Sequence, residues 1–382
     1  MKKLIYFTLF CSFFALSGCA TKQDIPKSNN FGPFTPYDKA VESAPFNASR
    51  YYLRGLAYYN SGVFVEAKND FSKAIEMDPS GECGTKSTGI AYYMRGMVYF
   101  DKGLYDEAIK DFNIAIKLEH GDRDKSLAYN NRGLAYFRKD LFDDAINDFD
   151  KAISLDPTGL YRTENKGATY INRGDAYFHK DLYDEAINDY SKSIEFNPND
   201  IRIYIRRAKA LLLKGLYDDT IKDCNKAMEL NPTFEEKHDI YSYRARAYLH
   251  NGLYDEAIND CNKTIEQCEK YPSINLTFDY NTRALSYFSE GKYENARKDF
   301  NTLLEDNPKN WGSLLDLSLV SLMINKDNDA NTYFANAEKL EPLLSKGMEG
   351  IEDLEKQKHY FTSEEKNTLK QLFKMLNYPK IK

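Results

Sequence analysis

The sequence lacks the residue arrangements that chemistry on a substrate or a metal would need. Its five histidines, His120, His179, His238, His250 and His359, form no HExxH helix and join no Cys/His ligand set, so no metal centre is expected. The stretch "GECGTKSTG" at 81–89 lacks the Gly-Lys step of a phosphate loop and stands between two helical stretches, which makes it a joining loop. Carboxylates are plentiful, but they ride in phrases such as "YDEAIND" that recur along the chain. A catalytic acid pair would depart from such a pattern, and none stands out. The formal net charge is only −6, with acids and bases interspersed, so the basic face of a nucleic-acid binder is missing. No enzyme activity, cofactor, nucleic-acid partner or small-molecule substrate is therefore expected.

What the chain does have is repetition. "DLYDEAINDY" at 181–190 has near-copies at 103–112, 140–149, 215–224 and 252–261. A 34-residue frame fits eight times, starting at 48, 89, 126, 167, 201, 238, 277 and 311. Apolar residues recur at helical spacing in two stretches per frame, as in Tyr170, Tyr177 and Phe178, then Ala186, Ile187, Tyr190 and Ile194, so each frame predicts a helical hairpin. Gly62, Gly103, Gly215, Gly252 and Gly291, replaced by Asp140 and Asp181 in two frames, end the first helix. Proline at 79, 157, 198, 232, 308 and 342 stops the second.

In the third frame Gly133, Tyr136, Ala145, Phe149, Ala152 and Pro157 hold the small, aromatic and terminating places, and over 48–342 the chain resembles the tetratricopeptide repeat family. The resemblance implies an all-α, right-handed superhelix of eight hairpins. Stripes of Leu344, Met348, Ile351 and Leu354, then Leu369, Leu372, Phe373 and Leu376, predict a pair of capping helices over 343–382, covering the last apolar face.

Glycine or alanine at 55, 96, 133, 174, 208, 245 and 284 is small enough to let the two helices approach, with alanine at 67, 108, 145, 186, 257 and 296 as the opposing surface. Arg54, Arg95, Arg132, Arg173, Arg207, Arg244 and Arg283 share one place on the first helix. Asp70, Asp111, Asp148, Asp189, Asp223, Asp260 and Asp299 share one on the second, and the eighth frame loses both together, to Leu317 and Tyr333. A repeated Arg to Asp contact, within or between hairpins, is expected. Frame spacing varies, and the extra residues, near 80–88, 120–125, 158–166, 233–237 and 270–276, are expected as longer connections. Cys83, Cys224, Cys261 and Cys268 are expected as free thiols, because repeat and helix spacing hold the last three beyond disulfide reach.

The N-terminus reads differently. Two lysines precede a run from Leu4 to Leu16 that is apolar apart from Thr8 and Ser12, too short to cross a bilayer, which needs about 20 residues, and suited to a secretory leader. "LSGC" at 16–19 resembles the bacterial lipobox. That resemblance implies a signal peptide over 1–18 and a lipid on Cys19, with Ala20 favouring the outer membrane facing the periplasm. Residues 19–47, rich in Pro, Asn and Ser, are expected as a flexible tether.

In the family the first helices line a concave groove that holds peptides. Carried onto this chain, the groove receives Arg138, Asn172, His179, Arg202, Arg206, Lys209, Arg246 and His250. Asn172, Arg202 and Arg206 match three places of the family's carboxylate clamp, whereas Asn130 and Leu134 depart from the other two. The expected function is a non-catalytic envelope scaffold whose groove holds an acidic segment or C-terminus of another protein. The alternative is an accessory or regulatory subunit of a cell-wall hydrolase, secretion or pilus assembly complex.

Overall fold

The computed structural model describes residues 34–78, 87–118, 121–156, 167–268, 275–357, 361 and 363–375. All regular structure among them is helical. The expected signal peptide, Cys19, Cys83 and Leu376 lie outside the described residues, as does most of the expected connections at 80–88, 158–166 and 270–276.

A helix absent from the sequence reading comes first: α1, Thr35–Ser43. The expected tether is therefore helical at its end, started by Pro36 in the first turn. It docks rather than dangles, with Val41 buried, Phe34 4.5 Å from the ring of Tyr58 and Asp38 3.0 Å from Arg54.

Eight hairpins follow: α2 Ala48–Asn60 with α3 Phe64–Met77, α4 Ser87–Asp101 with α5 Tyr105–Leu118, α6 Asp122–Phe137 with α7 Phe142–Leu155, and α8 Ala168–His179 with α9 Tyr183–Phe196. Then come α10 Ile201–Lys214 with α11 Tyr217–Glu229, α12 Phe234–His250 with α13 Tyr254–Cys268, α14 Thr277–Ser289 with α15 Tyr293–Asp306, and α16 Trp311–Met323 with α17 Asp327–Leu340. The chain divides into two compact units between Pro198 and Asn199, the first holding hairpins one to four and the second hairpins five to eight. No helix among the described residues is long and apolar enough to cross a membrane.

Each hairpin turns on a left-handed residue. Gly103 has φ +75° and Asp140, in the equivalent place, φ +57°. That conformation is nearly free for glycine and tolerable for a short polar side chain, which explains why aspartate is the residue that substitutes. The eighth hairpin uses Asn325, φ +57°, for the same turn.

In hairpins one to four the glycine on the first helix meets a ring more closely than it meets the opposing alanine. A Cβ on Gly55, Gly96, Gly133 or Gly174 would lie 2.9, 2.8, 2.7 or 2.8 Å from Phe71, Phe112, Phe149 or Tyr190, closer than real contacts allow. The four rings are fully buried, so the glycines are required by packing. In hairpins five and six the equivalent places hold Ala208 with Cys224 and Ala245 with Cys261, all buried. Where the second helix gives up a ring, the first gains a methyl. Both cysteines are free thiols, raised above the usual thiol range by burial.

The Arg to Asp contact runs within each hairpin and is bidentate. Nε and Nη2 of Arg132 donate to Asp148 at 2.6 Å each, and the same pair of bonds recurs in hairpins one to seven. The remaining nitrogen, Nη1, reaches the second helix of the preceding hairpin: Arg95 to Ser72, Arg132 to Asn113, Arg173 to Asp150, Arg244 to Asn225 and Arg283 to Asn262. One guanidinium thus closes its own hairpin and fastens it to its neighbour, using the fixed fork that lysine lacks. Tyrosines complete the site, as with Tyr129 and Tyr136 at 5.3 and 5.9 Å from the Arg132 guanidinium. The recurring "YDE" or "FDD" phrase supplies a second tie, since Asp106 and Asp143 pair with Lys139 and Lys180, just past the end of the next first helix.

Two of the expected longer connections are mostly helix instead. α6 begins at Asp122 and α12 at Phe234, so the extra residues near 120–125 and 233–237 lengthen first helices. Thr233 and Glu236 form a reciprocal capping box that starts α12 early. The cap also differs in detail. Leu344 belongs to a short 3-10 helix, Pro342–Lys346, and Gly347, φ +65°, turns the chain into α18, Met348–Lys356. The last helix is α19, Ser363–Met375. Leu344, Ile351, Leu354, Leu369, Leu372 and Phe373 join one core with hairpins seven and eight, where Leu315, Leu317 and Leu319 of α16 are fully buried.

Candidate functional site

The eight residues expected to face a groove belong to the two units, three to the first and five to the second. In the first unit Arg138 is exposed at the C-terminal end of α6. His179, at the end of α8, stacks on Phe142 with ring centres 5.3 Å apart and planes 13° from parallel, and meets Phe137 edge-on. Asn172 does not present an open amide. It donates to Asn130 (3.0 Å), whose own amide donates to Asn131 (3.1 Å), and Asn131 donates to the Tyr93 hydroxyl. Asn130 is fully buried. The clamp place thus serves a polar ladder linking α4, α6 and α8, and the departure at Asn130 has a structural cause.

In the second unit Arg202, Arg206 and Lys209 stand at helical spacing on one face of α10. Arg202 is bound by Asp200, the residue capping its own helix, at 2.9 and 2.6 Å. Burial raises the Asp200 carboxyl, but the bonds from Arg202 outweigh it and hold it below the usual carboxylate range. Arg206 donates to the Arg202 carbonyl at 3.3 Å. The charge expected at the centre of the groove is thus partly neutralised locally.

Arg246 and His250 are different. Both line a cavity of about 390 Å³ with Phe278, Trp311, Asp316 and Glu365 among its walls, built by α12, α14, α16 and α19. Arg246 is half-buried, with its guanidinium 5.4 Å from the centre of the Phe278 ring, and burial lowers its pKa. His250 stacks on Tyr217 at 4.3 Å, 12° from parallel. Burial, then the Arg246 charge, lowers His250 to about 4, so it is neutral at physiological pH. The carboxylate acting on Arg246 is Asp279, which already has His238 at 3.6 Å. Asp239 and Asp279 raise His238 to about 9, making it the cation that Asp279 serves.

Across the same cavity the fold brings together a carboxyl pair that sequence reasoning missed. Asp316 and Glu365 are buried, 9% and 2% exposed. Burial, then the neighbouring Glu365, pushes Asp316 well above the usual carboxylate range. Each is an ordinary helical acid in sequence. The one available signal was that Asp316 sits in the worn eighth frame, on a first helix that is otherwise uncharged.

Family models of the tetratricopeptide repeat match 89–122, 126–158 and 167–200, 48–80 and 201–234, and 281–341, together more than half of the chain. Among solved structures, the C-terminal part of a TPR repeat-containing protein from Cytophaga hutchinsonii is 21% identical, covering 68% of this chain and 98% of its own, with a TM-score of 0.50. A tetratricopeptide repeat protein from Parabacteroides merdae is 17% identical, covering 79% of this chain and 98% of its own, with a TM-score of 0.46. YrrB, described as a TPR protein with an unusual peptide-binding site, is 19% identical and covers 52% of this chain and 94% of its own, with a TM-score of 0.42. No curated protein matches the chain.

Proposed function

The chain belongs to the tetratricopeptide repeat family, and from that premise we propose that it is a non-catalytic scaffold that holds a peptide segment or C-terminus of another protein against the first helices of its second unit. The observation that carries this reading is Arg246. It is a half-buried cation on the wall of a cavity lined by first helices, with its guanidinium over the Phe278 ring. By contrast, the repeat arginines are spent on paired aspartates. A carboxylate brought to Arg246 gains a charge-assisted bond in a setting with little competing water. The lipobox-like "LSGC" at 16–19 supports reading the scaffold as a bacterial envelope protein tethered through lipid on Cys19, with the periplasmic side of the outer membrane as its site.

In-cell crosslinking followed by mass spectrometry tests this, comparing the intact protein with an Arg246→Glu variant, an Arg202→Glu, Arg206→Glu variant and Cys19→Ser. Partners captured by the intact protein should be lost from Arg246→Glu, and Cys19→Ser should move the protein out of the membrane fraction. Capture unchanged by every groove substitution would discard this face as the working surface.

A further inference from the structure

We propose that the N-terminal end of the first unit, between α1 and α2, receives one amphipathic helix of another protein, which lies there as the first helix of a hairpin whose second helix is α1. This surface is separate from the groove of the second unit and does not depend on it.

The register of α1 carries the inference. "YDKAVESAP" at 37–45 stands 34 residues before "FSKAIEMDP" at 71–79, and it is equally close to "FDKAISLDP" at 149–157. The same alignment holds in space. Nη1 of Arg54 donates to Asp38 at 3.0 Å, as Nη1 of Arg95 donates to Ser72 at 3.1 Å and Nη1 of Arg173 to Asp150. Asp38, Ser72 and Asp150 occupy one place in the frame. Val41 is 7% exposed and its equivalent, Ile75, 6%. Helix α1 thus stands as the second helix of a hairpin, with no first helix before it among the described residues.

What a first helix would cover is partly exposed on both walls. On α1, Tyr37 and Ala40 are only partly buried, whereas Phe71 and Ala74, or Phe149 and Ala152, are buried at the same places. On α2, Leu53 and Ala57 lie one turn apart and are again partly exposed, whereas Met94 and Val98 hold those places in α4 and are buried. The repeats show what fits. In hairpins one to four the ring at the Tyr37 place lies against a glycine of the first helix, so the partner's helix presents glycine or alanine there, flanked by apolar residues. It carries no repeat arginine, because Pro36 stands where Asp70 and Asp148 stand elsewhere. The chain's own sequence does not offer this helix. One frame before residue 48, Thr21 falls at the glycine place and Gln23 at the place of Ala57, and a β-branched or polar side chain is costly at a closely packed place.

The probe is a fluorescently labelled peptide of residues 122–137, the sequence of α6, carrying Arg132→Leu because Pro36 leaves that arginine without a carboxylate. Titrated with the full chain, it should give a saturable rise in anisotropy. Adding Gly133→Leu to the peptide should weaken binding at least about tenfold, since the bulky residue no longer fits beneath a ring. On the protein, Ala57→Glu should abolish binding, because it puts a charge on a wall that the peptide's apolar face covers. Tyr37→Lys takes its place if thermal unfolding shows Ala57→Glu to be misfolded. No binding, equal binding of the Gly133→Leu peptide, or binding untouched by the protein variants overturns the proposal. Sedimentation of the chain alone tests the rival occupant: a dimer that Ala57→Glu dissolves would assign this face to a second copy and overturn the proposal as well.

Discussion

The two units build the same hairpin with different parts. In the first, every hairpin sets a glycine on the first helix under a buried ring on the second, as Gly133 under Phe149. In the second, hairpins five and six trade the ring for cysteine and the glycine for alanine, and the eighth replaces the Arg to Asp pair with Leu317, fully buried, and Tyr333. In hairpins five and six the loss on one helix is thus met by a gain on the other, as close packing favours, whereas hairpin seven keeps both the methyl and the ring, Ala284 with Phe300. The charge pair obeys the same rule, since it is kept whole or lost whole. Removing one member leaves a buried charge without its partner, and that costs far more than replacing both.

Breaking the charge pair should have the largest effect. Asp148 is 2% exposed on its side chain and Arg132 14%, so Arg132→Leu should cost about 3–5 kcal/mol in chemical denaturation. Adding Asp148→Tyr, which copies the eighth hairpin, should recover most of that loss. A double variant as unstable as the sum of its singles would show that the eighth hairpin's solution does not transfer. The packing exchange should be smaller. Gly133→Ala places its Cβ 2.7 Å from Phe149 and should cost about 1–3 kcal/mol, with Gly133→Leu worse. Combined with Phe149→Cys, as in hairpin five, the alanine should become tolerable, and a thermal-melt cycle measures the coupling.

A pH effect, smaller again, belongs to the second unit. His238 is raised from 6.5 to about 9 by Asp239 and Asp279. A base with a raised folded pKa stabilises fully below its unfolded value and loses that contribution as pH rises. Stability should therefore decline between pH 6.5 and 9, and His238→Gln should flatten that part of the curve. A wild-type curve already flat across this window would remove the charged His238 from the account.

The hairpins were legible because each rests on contacts sixteen residues apart, repeated seven times for Arg and Asp. Repetition inside one chain turned those positions into a pattern. The Nη1 bonds to the preceding hairpin were not legible, because the accepting side chain varies among Ser, Asn and Asp. The helix over 35–43 went unread because it carries a single buried apolar residue, too little for a periodic stripe. Of the expected groove residues, Asn172 turned inward to Asn130, a choice its sequence context does not reveal, since an amide suits a ladder as well as a ligand.

By itself the sequence determined the repeat unit, its helical period, its left-handed turns and the recurrence of an Arg and an Asp, which the structure then joined inside one hairpin. All of these arise from contacts closed within one hairpin, where local periodicity and short loops leave little choice. Only the tertiary structure decided what the second unit could hold. The cavity needs Arg246 from the sixth hairpin, Asp316 from the eighth and Glu365 from the cap, and no repeated spacing links them. They meet because α19 folds back onto α14 and α16 to bury Leu369, Leu372 and Phe373. The hydrophobic closure of the last hairpin is what brings Asp316, Glu365 and Arg246 to the walls of one cavity.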